Sequence, residues 1–422
     1  MSGPPQLKGL KKGTVVGRVG ECGGHVGAPA AEEGQGLRLD LTEEQTMIRD
    51  LARDFAEKEV RPIAEAIDRE ARFPHETVAR MGELGLLGIA VPEIYGGSGS
   101  DTVAYALALE EVARACASHA VIMSVNNSLY GDTVLKYGTE EQKARFLTPF
   151  ASGQKIGCFA LTEPEAGSDA SNQSTLAVRD GDAYVLDGRK VFVTNGRESS
   201  AALVFAQTDR AAGHRGITAF LIEKGTPGFT VVKTEDKLGI RASDTAEFLF
   251  ERCRVPAANR LGEAGQGFKI ALGALDCGRI GIAAQALGIA TAAYEASVTY
   301  ARERKTFGVP IGQHQMVQWM LADMATAIEA ARLLTLRAAW LKDSGARFGP
   351  EAAMAKLFAS EMAMRVTTDA IQVHGGYGFL KEYQVERHFR DAKITQIYEG
   401  TSQIQKLVIA RHLLAAAGQR VA

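Results

Sequence analysis

Cysteine is scarce in this chain, and the five present, Cys22, Cys116, Cys158, Cys253 and Cys277, form no CxxC pair. That spacing offers no zinc framework, and scattered thiols suit a reducing compartment. The eight histidines show no HExxH or similar ligand spacing, so no metal site is expected. GxGxxG and GxxxxGKS/T are both absent, which removes the usual dinucleotide turn and the P-loop as ways to hold a nucleotide. No unbroken apolar run reaches the roughly 20 residues that span a bilayer, so no membrane association is expected. Excess charge of either sign is also lacking. The formal net charge of −2 argues against nucleic acid as a partner. No internal repeat is evident.

What is present is a soluble globular composition, 46% apolar and 23% charged over 422 residues, long enough for two or three domains. Residues 1–39 are Gly-rich and aperiodic (LKGLKK, GECGGHVG) and read as a disordered tail. A targeting presequence fits less well, because an apolar core is missing and Glu21, Glu32 and Glu33 interrupt any basic amphipathic pattern. Residues 40–155 read as helices. Thr42 and Gln45 fit a capping box, and Ile48, Leu51, Phe55, Ile63 and Ile67 recur at helical spacing, with Pro62 as a kink. Residues 156–265 change character: YVLDG, KVFVTN, ALVFAQ, ITAFLIE and EFLFE are strand-like, with Asp180-Gly181 and Asp187-Gly188 as hairpin turns. An antiparallel β domain is expected there. Residues 266–422 are helical again. Leu321, Met324, Ile328, Ala331 and Leu334 mark one buried stripe that ends near Gly345. Gly281 and Gly288 share one face of an Ala-rich helix and permit close helix approach. The expected class is α+β, mainly α, with a C-terminal four-helix bundle.

Four stretches could carry chemistry. FALTEPEAGSD (159–169) follows a strand and offers the hydroxyls of Thr162 and Ser168 beside Gly167, although any strand-to-strand loop could read so. FVTN (192–195) sets Phe192 and Thr194 on one strand face, able to stack on and hydrogen-bond a flat ring, or simply to be buried. In RERKTFGVPIGQHQ (302–315), Arg304 could meet a phosphate or merely solvate a helix end. VHGGYGF (373–379) has more glycine than a plain connector needs and could present N–H groups to an anion.

Glu399, in QIYEGTSQIQ (396–405), reads as the last residue of a helix that Gly400 terminates, with Ser402 and Gln405 as a capping box for a final helix. A carboxylate at that end opposes the macrodipole at a cost of about 0.3–1 kcal/mol. Shielded from water, its pKa would rise toward that of a general base; exposed, it would be an ordinary glutamate.

Together these stretches resemble the acyl-CoA dehydrogenase family over residues 40–417. FALTEPEAGSD, KLGIRASDT, ERKTFG, VHGGYGF and IYEGTSQIQ occur in the family's order and spacing, and SVNNSLY with DCGRIGIAAQALGIA looks closest to its short-chain, butyryl-CoA branch. The resemblance implies a helical domain, a β domain and a four-helix bundle, with FAD at a subunit interface of a homotetramer, a dimer of dimers. Carried over, Phe159, Leu161, Thr162, Gly167 and Ser168 line the flavin, Thr162 and Thr194 hydrogen-bond it, and Ser168 also reaches substrate. Phe192 stands where a tryptophan is common. Arg304, Phe307 and Gln315, with Gln372, Gly375 and Gly376, hold the FAD of a neighbouring subunit, and Thr401 and Gln403 complete the cofactor site. Asp276, Arg279, Tyr398 and Gly400 lie along the acyl-CoA. Glu399 falls on the catalytic base. Some relatives carry that base on the helix of Asp276–Arg279, where Gly278 supplies no carboxylate.

The implied reaction is α,β-desaturation of an acyl-CoA thioester. Glu399 takes the α-proton, flavin N5 accepts the β-hydride, and the Glu399 N–H helps polarise the thioester carbonyl. An acyl-CoA oxidase and a non-enzymatic flavoprotein share the fold as alternatives. The resemblance further implies short-chain substrates, an electron-transfer flavoprotein as acceptor, and a bacterial cytoplasm ahead of a mitochondrial matrix.

Overall fold

The computed structural model describes residues 40–416; the tail expected at residues 1–39 lies outside the described residues. The predicted capping box opens α1 (Glu43–Phe55), with Gln45 N donating to Thr42 Oγ1 at 3.1 Å and Thr42 N to Gln45 Oε1 at 3.0 Å. A π-helical turn (Ala56–Val60) and a 3-10 turn around Pro62 bend the chain into α2 (Ala64–Glu70). Then come α3 (His75–Glu83), α4 (Thr102–Ala115), α5 (Ala117–Ser124), α6 (Asp132–Tyr137), α7 (Glu140–Phe146) and α8 (Thr148–Ala151). A π-helical stretch, Val125–Gly131, joins α5 to α6 and buries two amides. Asn126 Nδ2 donates to Leu87 O (2.8 Å) and Phe150 O (3.1 Å), while its Oδ1 accepts from Gly157 N (2.9 Å), tying the helices to the first strand.

The middle of the chain forms one sheet, made of β1 (Gly157–Ala160), β2 (Leu176–Asp180), β3 (Ala183–Thr194), β4 (Ala201–Gln207), β5 (Ile217–Glu223), β6 (Phe229–Thr234), β7 (Thr245–Pro256) and β8 (Arg260–Leu261). Its order is β6-β7-β3-β2-β4-β5-β8, with β1 beside β4. The pairing is antiparallel except that β1 and β2 each run parallel to β4, a departure from the purely antiparallel expectation. Asp180-Gly181 makes its turn, with Gly181 at φ 62°. Asp187-Gly188 does not. It lies inside β3 at a bulge against β7, and glycine is needed because a Cβ at 188 would come within 2.6 Å of Thr175 Cα.

The C-terminal helices are α9 (Gly267–Glu303), α10 (Gln315–Asp343), α11 (Gly349–His374), α12 (Val385–Thr395) and α13 (Ser402–Ala416), with a two-strand hairpin, β9 (Lys305–Thr306) and β10 (Val309–Pro310), between α9 and α10. By length and composition α9 could cross a membrane, although no unbroken apolar run marks it, but 78% of its most apolar window is buried inside the bundle. The predicted glycine face of α9 packs on α4. A Cβ at Gly288 would lie 2.3 Å from Glu110 O and 2.6 Å from Ala113 Cβ, and one at Gly281 would lie 2.4 Å from Tyr105 Oη. On α10, Met324, Ile328 and Ala331 are buried while Leu321 and Leu334 are half-buried; the helix stops at Asp343, just before Gly345 at φ 70°.

Candidate functional site

Glu399 is not in a helix. α12 ends at Thr395, and the chain turns on Ile397 N to Ile394 O (2.8 Å) and Tyr398 N to Ile394 O (3.1 Å). Glu399 and Gly400 then take left-handed conformations, φ 52° and 93°. For a non-glycine residue this costs on the order of 1 kcal/mol, and the surrounding structure must enforce it. Gln405 Nε2 does so by donating to the carbonyls of Glu399 (3.1 Å) and Gly400 (2.8 Å), and Lys356 Nζ donates to Gly400 O at 2.6 Å. The cap of α13 is Thr401, whose Oγ1 accepts from Ile404 N at 3.3 Å. The expected cap, Ser402, instead donates to Glu361 Oε1 at 2.7 Å. The macrodipole therefore does not explain Glu399, which lies beyond the last turn of α12.

Burial explains it. The residue as a whole is half-buried, but Oε2 is sealed from solvent and has no hydrogen-bond partner. Desolvation pushes the carboxyl up to about 7, against the pull of Lys356 and Arg279. The carboxylate occupies the space left by Gly278 on α9: a Cβ there would lie 2.0 Å from Oε2 and 2.8 Å from Leu129 Cδ2. Arg279, almost wholly buried, pairs with Asp276 one turn back along α9.

Two tyrosines close the space along α9: Tyr398, expected along the acyl-CoA, and Tyr105, which the sequence reading missed. Tyr105 Oη shares a hydrogen bond of 3.0 Å with Ser124 Oγ against Gly281, and Tyr398 Oη donates to Gln285 Oε1, whose amide in turn donates to Ala117 O at 2.9 Å. Gly278, Gly281 and Gln285 share one helical face, so the space beyond Glu399 is bounded by polar pairs. For the polar pairs themselves the available hint was a lone glutamine, Gln285, in an Ala-rich apolar helix.

A second group surrounds the C-terminal end of β3 and the loop that follows β1. β3 bulges against β7 between Lys190 and Val193, leaving Phe192 at φ 58° and 65% exposed, with Thr194 half-buried. Both are accessible, but a bulge rather than plain alternation arranges them. Val191 N donates to Thr162 O at 2.9 Å, joining β3 to the loop after β1. That loop is pinned by a fully buried pair, Lys190 Nζ to Glu163 Oε1 at 2.7 Å. The ammonium also reaches Leu161 O (3.0 Å), and Glu163 Oε2 accepts from Ser174 N (2.6 Å). Gly167 and Ser168 are exposed on it, with open space around Gly167; Leu161 is buried and Phe159 half-buried.

The remaining candidates form a third group. Arg304 stacks over the Tyr377 ring at 5.5 Å, beside the 96% exposed Phe307 and the open backbone of Gly375 and Gly376; Gln315 and Gln372 are exposed nearby in the chain. Arg304 follows α9, roughly seven turns or about 40 Å beyond Gly278, so one chain does not bring it to Glu399. Thr401 is half-buried and Gln403 exposed at the start of α13.

Three family descriptions match in succession: acyl-CoA dehydrogenase N-terminal domain at residues 42–154, middle domain at 158–253 and C-terminal domain at 265–414. The mitochondrial short-chain specific acyl-CoA dehydrogenase of Bos taurus is 57% identical over 376 residues, 89% of this chain and 91% of that protein. The short-chain specific acyl-CoA dehydrogenase of Clostridium acetobutylicum is 52% identical over 374 residues, 89% of this chain and 99% of that protein. The solved butyryl-CoA dehydrogenase from Megasphaera elsdenii superposes with a TM-score of 0.89 at 48% identity, covering 90% of this chain and all of that one. A sealed, unpartnered carboxylate facing a glycine, set in this helix–sheet–bundle frame and matched by the three family domains in succession between residues 42 and 414, leads to one assignment: the chain belongs to the acyl-CoA dehydrogenase family.

Proposed function

We propose that this protein desaturates short-chain acyl-CoA thioesters at the α,β position, with FAD as cofactor and Glu399 as the base. The observation that carries the reading is the Glu399 carboxylate, held out of water with no partner and a pKa near neutrality. Such a group is basic enough to remove a weakly acidic α-proton and is about half deprotonated at pH 7, more so above it.

The residues present fit a flavin. Phe192 offers an exposed ring face at the β3 bulge, Thr194 and Thr162 stand beside it, and Gly167 leaves space for close approach. When bound, FAD supplies the acceptor for the β-hydride. Glu399 takes the α-proton at its carboxylate. Its backbone N–H donates to no group among the described residues and is free for the thioester carbonyl as negative charge develops there. Asp276 and Arg279 would lie along the acyl-CoA, with Tyr398 and Gly400 flanking its acyl end. The Tyr105–Ser124 and Tyr398–Gln285 pairs favour a short acyl tail, because a longer one would have to break buried hydrogen bonds.

Arg304, Phe307, Gln315, Gln372, Gly375 and Gly376 would serve the FAD of a second subunit, as the distance of Arg304 from Gly278 along α9 supports; Thr401 and Gln403 would complete the site. This requires a second subunit, and exposed Trp319, Met316, Phe379 and Leu407 on the bundle provide apolar surface for association, proposed here as a homotetramer. Electrons would pass to an electron-transfer flavoprotein, in a bacterial cytoplasm. The test is anaerobic titration with butyryl-, octanoyl- and isovaleryl-CoA. Butyryl-CoA bleaches wild-type flavin, and Glu399→Gln retains FAD without bleaching. Full bleaching of Glu399→Gln refutes the base assignment.

A further inference from the structure

The turn that carries Glu399 is held from below by a lysine that the reaction itself does not use. Lys356, on α11, has no solvent exposure, and its Nζ makes its hydrogen bond to Gly400 O at 2.6 Å. Burying an ammonium without a direct salt bridge is costly, so something must offset that cost. Among the charges acting on Lys356, that of Glu399 is the largest; among those acting on Glu399, that of Lys356 is the largest. We propose that Lys356 is a positioning residue for the Glu399 base, fixing the Gly400 carbonyl so that the left-handed turn stays formed and supplying the buried countercharge to the carboxylate. This rests on the reading of Glu399 as base.

Geometry accounts for both parts. With the carbonyls of Glu399 and Gly400 engaged by Gln405 and Lys356, the two peptide planes that follow Glu399 are held. Other charged and titratable groups face the pair from each packed element: Asp276, Cys277 and Arg279 on α9, Glu361 on α11, Tyr105 on α4 and Tyr398 in the turn. Arg279 is engaged by Asp276, which leaves Lys356 as the cation without a carboxylate bonded to it. Burial holds its ammonium down to about 8, so it remains charged at neutral pH.

The experiment is the pH profile of kcat/KM for butyryl-CoA, on FAD-loaded Lys356→Met, Lys356→Gln and Lys356→Arg, with melting temperature as the fold control. Loss of the cation raises the proton affinity of Glu399. The acid limb of Lys356→Met and Lys356→Gln therefore moves about one pH unit alkaline. Activity near pH 7 falls about fivefold and recovers as pH rises, while Lys356→Arg keeps the wild-type limb. A limb unmoved in Lys356→Met, with only a lower rate at every pH and a lower melting temperature, overturns the proposal and leaves a structural role. If Lys356→Met does not fold, Lys356→Gln decides, because it keeps a donor but no charge: no limb shift there overturns the proposal. Turnover retained by Glu399→Gln would instead remove the base assignment, a failure read from a different variant.

Discussion

Gly278→Ala isolates the position of the base from the stability of the fold. The added Cβ would lie 2.0 Å from Glu399 Oε2, 2.9 Å from its Cδ and 2.8 Å from Leu129 Cδ2. All three atoms belong to side-chain ends, so the clash is relieved by swinging the carboxylate aside by about 1 Å rather than by moving backbone. The stability cost is at the low end for overpacking, about 1 kcal/mol. The chemical cost is not small, because a misplacement of about 1 Å in a reacting group lowers the rate on the order of 100-fold. Stopped-flow reduction of the flavin by butyryl-CoA under anaerobic conditions measures that loss, and thermal melting with FAD content measures the rest. A variant that melts near wild type, binds FAD and reduces about 100-fold more slowly fits the geometry. Wild-type reduction would mean that the carboxylate is not confined by the α9 backbone, and the geometric basis of the site would fail.

Glu399, pushed up to about 7 by burial, should give wild-type kcat/KM an acid limb near that pH, rising as the carboxyl loses its proton. Stability changes in the opposite direction. A carboxyl raised above its unfolded value stabilises the fold fully below that value and loses the contribution as pH rises through about 7, so Glu399→Gln should melt higher than wild type at pH 8 but not at pH 4. Lys190→Met strands the buried Glu163 carboxylate and frees the loop carrying Thr162 and Ser168; a loss of about 3–5 kcal/mol by denaturant melt is expected, together with faster FAD loss on dilution. Gly288→Ala drives a methyl to 2.3 Å from the backbone oxygen of Glu110, and should cost about 2 kcal/mol or more by denaturant melt, with Gly281→Ala milder because it meets side-chain hydroxyls.

The arrangement of helices, strands and helices was legible because hydrophobic periodicity survives in each segment, as in Met324, Ile328 and Ala331 along α10. The glycine face of α9 was legible for a related reason: small residues two turns apart have few uses inside a long helix. Local punctuation was less reliable. Asp187-Gly188 has the composition of a turn, but Gly188 is there to admit Thr175. Gly400 looks like a helix stop, yet α12 ends at Thr395, and the chain from there to Gly400 is a turn enforced by Gln405 on the next helix and by Lys356 from a distant one. Glu399 was legible for an incomplete reason: its proton affinity comes from enclosure, a tertiary property that no local pattern carries. The Lys190–Glu163 pair and the Gln285 crosslink are hidden for the same reason, since each depends on partners brought together only by the fold.

The bare contact between α9 and α4 bears on how such a site can diversify. Where a glycine meets a neighbouring main chain, there is no rotamer to trade and almost no residue to substitute, so this line of the molecule is closed to inheritance of new side chains. On the proposed reading, changes in the tolerated acyl group are instead recorded on either side of that line, at positions such as Leu129, Gln285 and Tyr398, where a different side chain alters the volume beside Glu399 without parting the two helices. The rail stays fixed while the walls along it are exchanged.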